Sequence, residues 1–193
     1  MMSGSKVLVQ TSKFLSRVLR HQPESIGLTL DAQGWATVED LLYCAGQHGL
    51  ALSRSLLEEV VQTSDKQRFA LSPDGQRIRA NQGHSHSLAI DLNLPPVDPP
   101  EILSHGTAVQ FLDSIRTHGL QSGKRQYVHL SRLESTALQV GQRHGKAIVL
   151  RIRAQDMASQ GYCFFCAENG VWLTAAVPPP FIDGVTLSEE HPI

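Results

Sequence analysis

Hydrophobic positions recur at helical spacing three times in the first third of the chain. In residues 12–21, SKFLSRVLRH, Phe14, Leu15, Val18 and Leu19 share one face, Ser12 predicts an N-cap, and Pro23 ends the helix at Arg20-His21. Turn residues Asp31 to Gly34 and the apolar Trp35 then lead into Thr37-Val38-Glu39-Asp40, a capping-box pattern, with Val38, Leu41, Leu42 and Ala45 continuing a second helix. A third is predicted from Ser53 through Leu56, Leu57, Val60 and Val61. The period then drops to two. QRFALSPDGQRIRA sets Phe69 and Leu71 against Arg68 and Ala70, turns at Ser72-Pro73-Asp74-Gly75 and alternates again through Ile78. Three helices followed by a β-hairpin is the order of a winged helix.

Residues 89–100, AIDLNLPPVDPP, carry four prolines, which favour extended backbone and remove amide donors, so this stretch reads as a linker between residues 1–88 and 101–193. The second part offers a strand over ILSHGT, a helix with Phe111, Leu112 and Ile115 stopping at Gly119, and a strand over QYVHLS. A helical stretch over 133–142 precedes AIVLRI, whose unbroken apolar run predicts a strand buried on both faces. YCFFCAENGVWLT reads as two strands around Glu168-Asn169-Gly170, and Val177-Pro178-Pro179-Pro180 closes the pattern. The expectation is an α/β or α+β lobe of short strands, with no repeat or low-complexity tract.

Composition narrows the function classes. A chain of 193 residues, 41% hydrophobic and 18% charged, can bury a core. No apolar run approaches the eighteen or so residues of a membrane helix, and MMSGSKVLVQ lacks a signal peptide's apolar segment, so no membrane partner and a cytoplasmic location are expected. Three cysteines (Cys44, Cys163, Cys166) suit a reducing compartment. The net charge is -1, with 9 basic and 8 acidic residues up to residue 88 and 8 against 10 beyond it. A broad basic field for nucleic acid is therefore absent, and a bound phosphate would need a few placed arginines.

Neither G-x-G-x-x-G nor G-x-x-x-x-G-K-[ST] occurs, which sets aside a Rossmann site and a P-loop. Cys163 and Cys166 form a C-x-x-C, but positions i and i+3 of a strand face opposite ways and no second Cys or His pair lies at ligand spacing, so two core cysteines are expected and no metal. His105-Gly106-Thr107 places a close backbone approach and two hydrogen-bonding side chains directly after an apolar strand.

Arg20-His21-Gln22-Pro23, Arg68, IRANQGHS, HGT, VHLS, GQRHGK and NGVWLTAAVPP, in this order over residues 12–181, resemble the RNA 2′-phosphotransferase family of the KptA type, which removes the 2′-phosphate left at a tRNA splice junction using NAD+. The resemblance implies an α+β fold: an N-terminal winged-helix lobe followed by a C-terminal ADP-ribosyltransferase-like α/β lobe, with the active site in the cleft between them. The family's catalytic Arg-His-Arg-Arg set falls on Arg20, His21, Arg68 and Arg143. In the implied reaction the RNA 2′-phosphate displaces nicotinamide from the ribose of NAD+. The ribose 2″-hydroxyl then attacks the phosphorus, leaving 2′-hydroxyl RNA and ADP-ribose 1″,2″-cyclic phosphate.

The residue types suit this chemistry. Guanidinium forks match phosphate oxygens bidentately, and an imidazole moves protons near neutral pH. The resemblance also implies that His105, Gly106, Thr107, Ser131 and His129 bind NAD+ as a consumed co-substrate, and that Ser104 stands where the family leads one to expect tyrosine. Asn81, Gln82, His84 and Ser85 are expected to form a neutral hydrogen-bonding wall for the phosphate or RNA backbone; a strap satisfying buried backbone is the alternative. The partners implied are a tRNA-like RNA carrying a 2′-phosphate and NAD+; the protein is expected to be a monomer.

Two other functions are open. A winged-helix regulator would place basic residues on its third helix, yet SRSLLEEVV carries Glu58 and Glu59 against Arg54. An ADP-ribosyltransferase acting on phosphorylated nucleic-acid ends is the second, and Glu168, in a predicted turn, is the single acidic residue in the last predicted strands.

Overall fold

The computed structural model describes residues 4–64 and 66–187. The chain divides into two compact units, Met1–Asn93 and Leu94–Ile193.

The first unit contains helices α1 (Gly4–Arg20), α2 (Val38–Gln47) and α3 (Arg54–Gln62), with strands β1 (Ala36–Thr37), β2 (Phe69–Leu71) and β3 (Arg77–Ala80). Helix α1 begins well before the expected Ser12, because Leu8, Thr11, Leu15 and Val18 keep one inward stripe running back to its first turns. The other two starts are capped as their sequences predict: Thr37 Oγ1 accepts from the Asp40 amide at 3.0 Å, and Ser53 Oγ from the Leu56 amide at 3.2 Å. β2 and β3 pair antiparallel, Phe69 opposite Ala80 and Leu71 opposite Ile78, and β1 adds to the other side of β3. Their turn closes through Gly75, whose φ of 68° lets its amide reach the Ser72 carbonyl at 2.7 Å. Leu15, Leu19, Leu41, Leu57 and Ile78 are fully buried at the centre of this core.

The second unit is built from antiparallel strands. β4 (Ile102–Ala108), β7 (Ala147–Arg153) and β11 (Ile182–Leu187) form one sheet with β7 central; β6 (Val128–Leu130), β9 (Trp172–Thr174) and β8 (Phe165–Cys166) form a second; β5 (Leu120–Gln121) pairs with β10 (Ala176–Val177). Ser104 and Ser131 exchange backbone hydrogen bonds of 2.8 and 2.9 Å and bridge β4 to the end of β6. Helices α4 (Leu112–His118), α5 (Glu134–Gly141) and α6 (Ala154–Ser159) complete it. Sheets of antiparallel strands with helices beside them make the fold class α+β.

Residues 147–150 are buried without alternation, as their apolar run predicts. Other expectations need correction. The chain does not close at the prolines: β11 follows them and pairs with residues 148–152 of β7. Helix α6, unforeseen, buries Ala154 and Met157. The strand expected over 126–131 shortens to Val128–Leu130. Cys163 is exposed and Cys166 half-buried, so the pair does not lie together in a core. Within the proline-rich stretch, Ile90 and Leu92 are buried and the Asp91 amide donates to the Ala32 carbonyl at 2.9 Å, while the Val97 amide donates to the Phe164 carbonyl at 2.8 Å. No described helix is long and apolar enough to cross a membrane.

Candidate active site

In the first unit the end of α1 meets the chain on both sides of the β-hairpin. The Arg20 guanidinium donates through Nη2 to the Arg68 carbonyl at 3.1 Å and lies 5.7 Å from the centre of the Phe69 ring. That carbonyl also accepts from the Asn81 amide at 3.0 Å, and Asn81 Nδ2 donates to the Gln67 carbonyl at 2.7 Å. Gln67 has φ of 39°, a left-handed backbone uncommon outside glycine, so both hydrogen bonds from Asn81 hold a strained approach to Arg68.

Residues 83–85 close the arrangement. The Ser85 amide donates to the Arg20 carbonyl at 2.8 Å, Ser85 Oγ lies 2.8 Å from His21 Nδ1, and a Cβ on Gly83 would sit 3.6 Å from Arg20 Nη1. His84 is 1% exposed, and neither ring nitrogen has a hydrogen-bond partner among the described residues. Burial, helped by the positive charges of Arg20, His21 and Arg79, pushes its pKa down to about 4, so it is neutral at pH 7. Asn81 and His84 are buried, Gln82 and Ser85 are half-buried and His21 is exposed.

In the second unit His105 Nδ1 donates to the His129 carbonyl at 2.9 Å. Burial lowers the His105 pKa against a smaller opposing effect of that hydrogen bond, which leaves a neutral ring with Nε2 as an acceptor. Gly106 serves packing: a Cβ there would lie 1.6 Å from the Ala137 carbonyl oxygen of α5, and one on Gly141 would lie 2.5 Å from the Thr107 oxygen. Two glycines thus let α5 and β4 touch backbone to backbone. Thr107 is buried beside them, Ser131 is half-buried, and its Oγ accepts from the Leu133 amide at 3.2 Å. Arg143 is exposed two residues past α5, its amide donating to the Val140 carbonyl at 3.2 Å.

The family model described as "RNA 2′-phosphotransferase, Tpt1/KptA family" matches residues 6–176. The chain is 58% identical over 177 residues to a probable RNA 2′-phosphotransferase of Pseudomonas aeruginosa, covering 92% of this chain and 97% of that one. A protein of the same description from Pectobacterium carotovorum is 56% identical over 172 residues, 89% and 92% of the two chains. One from Escherichia coli is 52% identical over 180 residues, 93% and 97%. The chain belongs to the RNA 2′-phosphotransferase family.

Within this member of the RNA 2′-phosphotransferase family, several side chains beside the expected set went unnoticed. Arg77 and Arg79 stack over Trp35, 5.2 and 4.6 Å from its ring centre, as strand alternation places both on one face of β3. That alternation was legible in RIRA; the partner Trp35, from β1's approach, was not. The Arg125 pKa is lowered by partial burial and then by the charge of Arg143, so the two cations are neighbours. The His144 ring packs edge-on against the exposed Phe111 at 6.5 Å, and its carbonyl accepts from Gln110 Nε2 at 3.0 Å. The structure brings Arg20, His21, Arg68 and residues 81–85 together in the first unit, and places Arg143 with His105, Thr107, His129 and Ser131 in the second.

Proposed function

We propose that the protein removes an internal 2′-phosphate from RNA, such as that at a tRNA splice junction, by transferring it to ADP-ribose derived from NAD+. The observation that carries this reading is the tied group of Arg20, His21 and Arg68 in a chain that the RNA 2′-phosphotransferase family model matches over nearly its whole length. The first unit serves as a winged-helix lobe for RNA and phosphate, in keeping with its three helices and hairpin. The second serves as an ADP-ribosyltransferase-like lobe for NAD+. Both act in one monomer in the cytoplasm.

Arg20, Arg68 and Arg143 hold the phosphate dianion and offset the charge that builds on its oxygens during transfer. His21 moves the proton exchanged between hydroxyl groups. His105 fits the co-substrate chemically: a neutral imidazole with its Nδ1–H committed to a carbonyl offers Nε2 as acceptor to an amide or hydroxyl, and Thr107, Ser131 and His129 add polar groups nearby in the sequence motifs. NAD+ supplies the ADP-ribosyl acceptor. The products are 2′-hydroxyl RNA, nicotinamide and ADP-ribose 1″,2″-cyclic phosphate.

The test incubates the protein with NAD+ and an RNA carrying one internal 2′-phosphate, beside RNAs phosphorylated at a 5′ or 3′ end, and resolves products by mass. Loss of the internal phosphate with release of nicotinamide and the cyclic phosphate is expected. A stable ADP-ribosylated end would replace this reading with the transferase alternative, and binding without turnover would replace it with the regulator.

A further inference from the structure

Ser85 stands at the start of the short 3-10 turn His86–Leu88, with φ of −69° and ψ of 146°, the position and backbone of a helix-capping serine. Its side chain makes no capping hydrogen bond there. The hydroxyl instead meets His21 Nδ1 at 2.8 Å, across 64 residues of sequence. A second tie accompanies it, because the Ser85 amide bonds the carbonyl of Arg20, the residue before His21. Next to Ser85, the ring of His84 is buried against Gly34, where a Cβ would sit 3.2 Å from Nε2, so residue 85 hangs from an interior anchor. A serine that leaves its local donors for a distant imidazole has a defined task.

We propose that Ser85 is a positioning residue for His21, holding the imidazole through Nδ1 so that proton exchange with the substrate takes place at Nε2. This rests on the reading of His21 given above. A hydroxyl is donor and acceptor at once. Its oxygen accepts from Nδ1–H in both the neutral ring and the imidazolium, so the ring keeps its orientation and its Nδ1–H tautomer while Nε2 gains or gives a proton. A carboxylate in the same place would also accept from Nδ1–H, but its negative charge would favour the charged ring over the neutral one. For a group that must act as both acid and base, the hydroxyl is the better holder.

The experiment uses the full chain, labelled with 15N at histidine, as wild type, Ser85→Ala, Ser85→Thr, His21→Ala and the Ser85→Ala/His21→Ala double variant, each checked for fold by circular dichroism. Ser85→Ala should move the His21 Nδ1 resonance and Ser85→Thr should return it. On RNA with an internal 2′-phosphate, Ser85→Ala should lower kcat about tenfold with KM for RNA and NAD+ within about twofold, and should cost nothing further in the His21→Ala background. An unmoved Nδ1 resonance, or an equal loss in both backgrounds, would overturn the proposal. An inactive wild type whose His21 resonance still follows residue 85 would instead overturn the reading of the reaction, and with it the proton exchange, while the ring contact stood.

Discussion

Asn81 acts on Arg68 through the backbone, and Asn81→Ala removes the donor that satisfies the Gln67 carbonyl at a left-handed residue. A loss of about 1–3 kcal/mol is expected in urea unfolding, with reduced turnover as Arg68 shifts; Asn81→Asp, which lacks the Nδ2 donor, should fail to restore either. His84 supplies a prediction of opposite kind. Its pKa falls from the ordinary 6.5 to about 4, so between those values the unfolded chain binds a proton that the folded chain does not. Stability tied to His84 is thus complete above about pH 6.5 and is lost as pH falls toward 4, by about 3 kcal/mol over the window. Comparing urea midpoints at pH 7 and pH 4.5 for wild type and His84→Leu checks this: the wild type should lose more. Arg20, His21 and Arg68 were legible as residue types in a family pattern. What holds them was not, since a side chain bonding a backbone carbonyl fourteen residues away leaves no periodic trace in sequence.

Among the elements, the contact of α5 with β4 is the least tolerant of added atoms. Gly106→Ala would drive a methyl into the Ala137 carbonyl, and the second unit should fail to fold or lose several kcal/mol. Gly46→Ala in α2, where nothing lies within 4 Å, should instead gain about 0.5–1 kcal/mol. Thermal unfolding of the two variants separates a glycine needed for close approach from one that is not. Elements with strong periodicity and a cap, such as α2, α3 and the hairpin, could be read from sequence because local signals and packing agree. β11 could not: FIDGVT follows three prolines, and what makes it a strand is its partner β7, thirty residues earlier in the chain. Helix α6 is only six residues long, below the length at which a helical period declares itself.

For the whole molecule, the net charge of -1 limits RNA binding to placed contacts. With about three guanidiniums on phosphates, the logarithm of RNA affinity should fall against the logarithm of salt concentration with a slope of about −2, measured by fluorescence anisotropy. A slope steeper than about −4 would mean a wider basic surface. The division of the chain also distributes its two tryptophans, Trp35 in the first unit and Trp172 in the second. Trp35 is half-buried beneath two guanidiniums, whereas Trp172 is buried among apolar neighbours. Each unit therefore carries its own native fluorophore in a different polarity, and emission should resolve into a longer-wavelength and a shorter-wavelength component. Single Trp→Phe variants turn that accident of placement into a label-free gauge of whether the two units melt in one step or two.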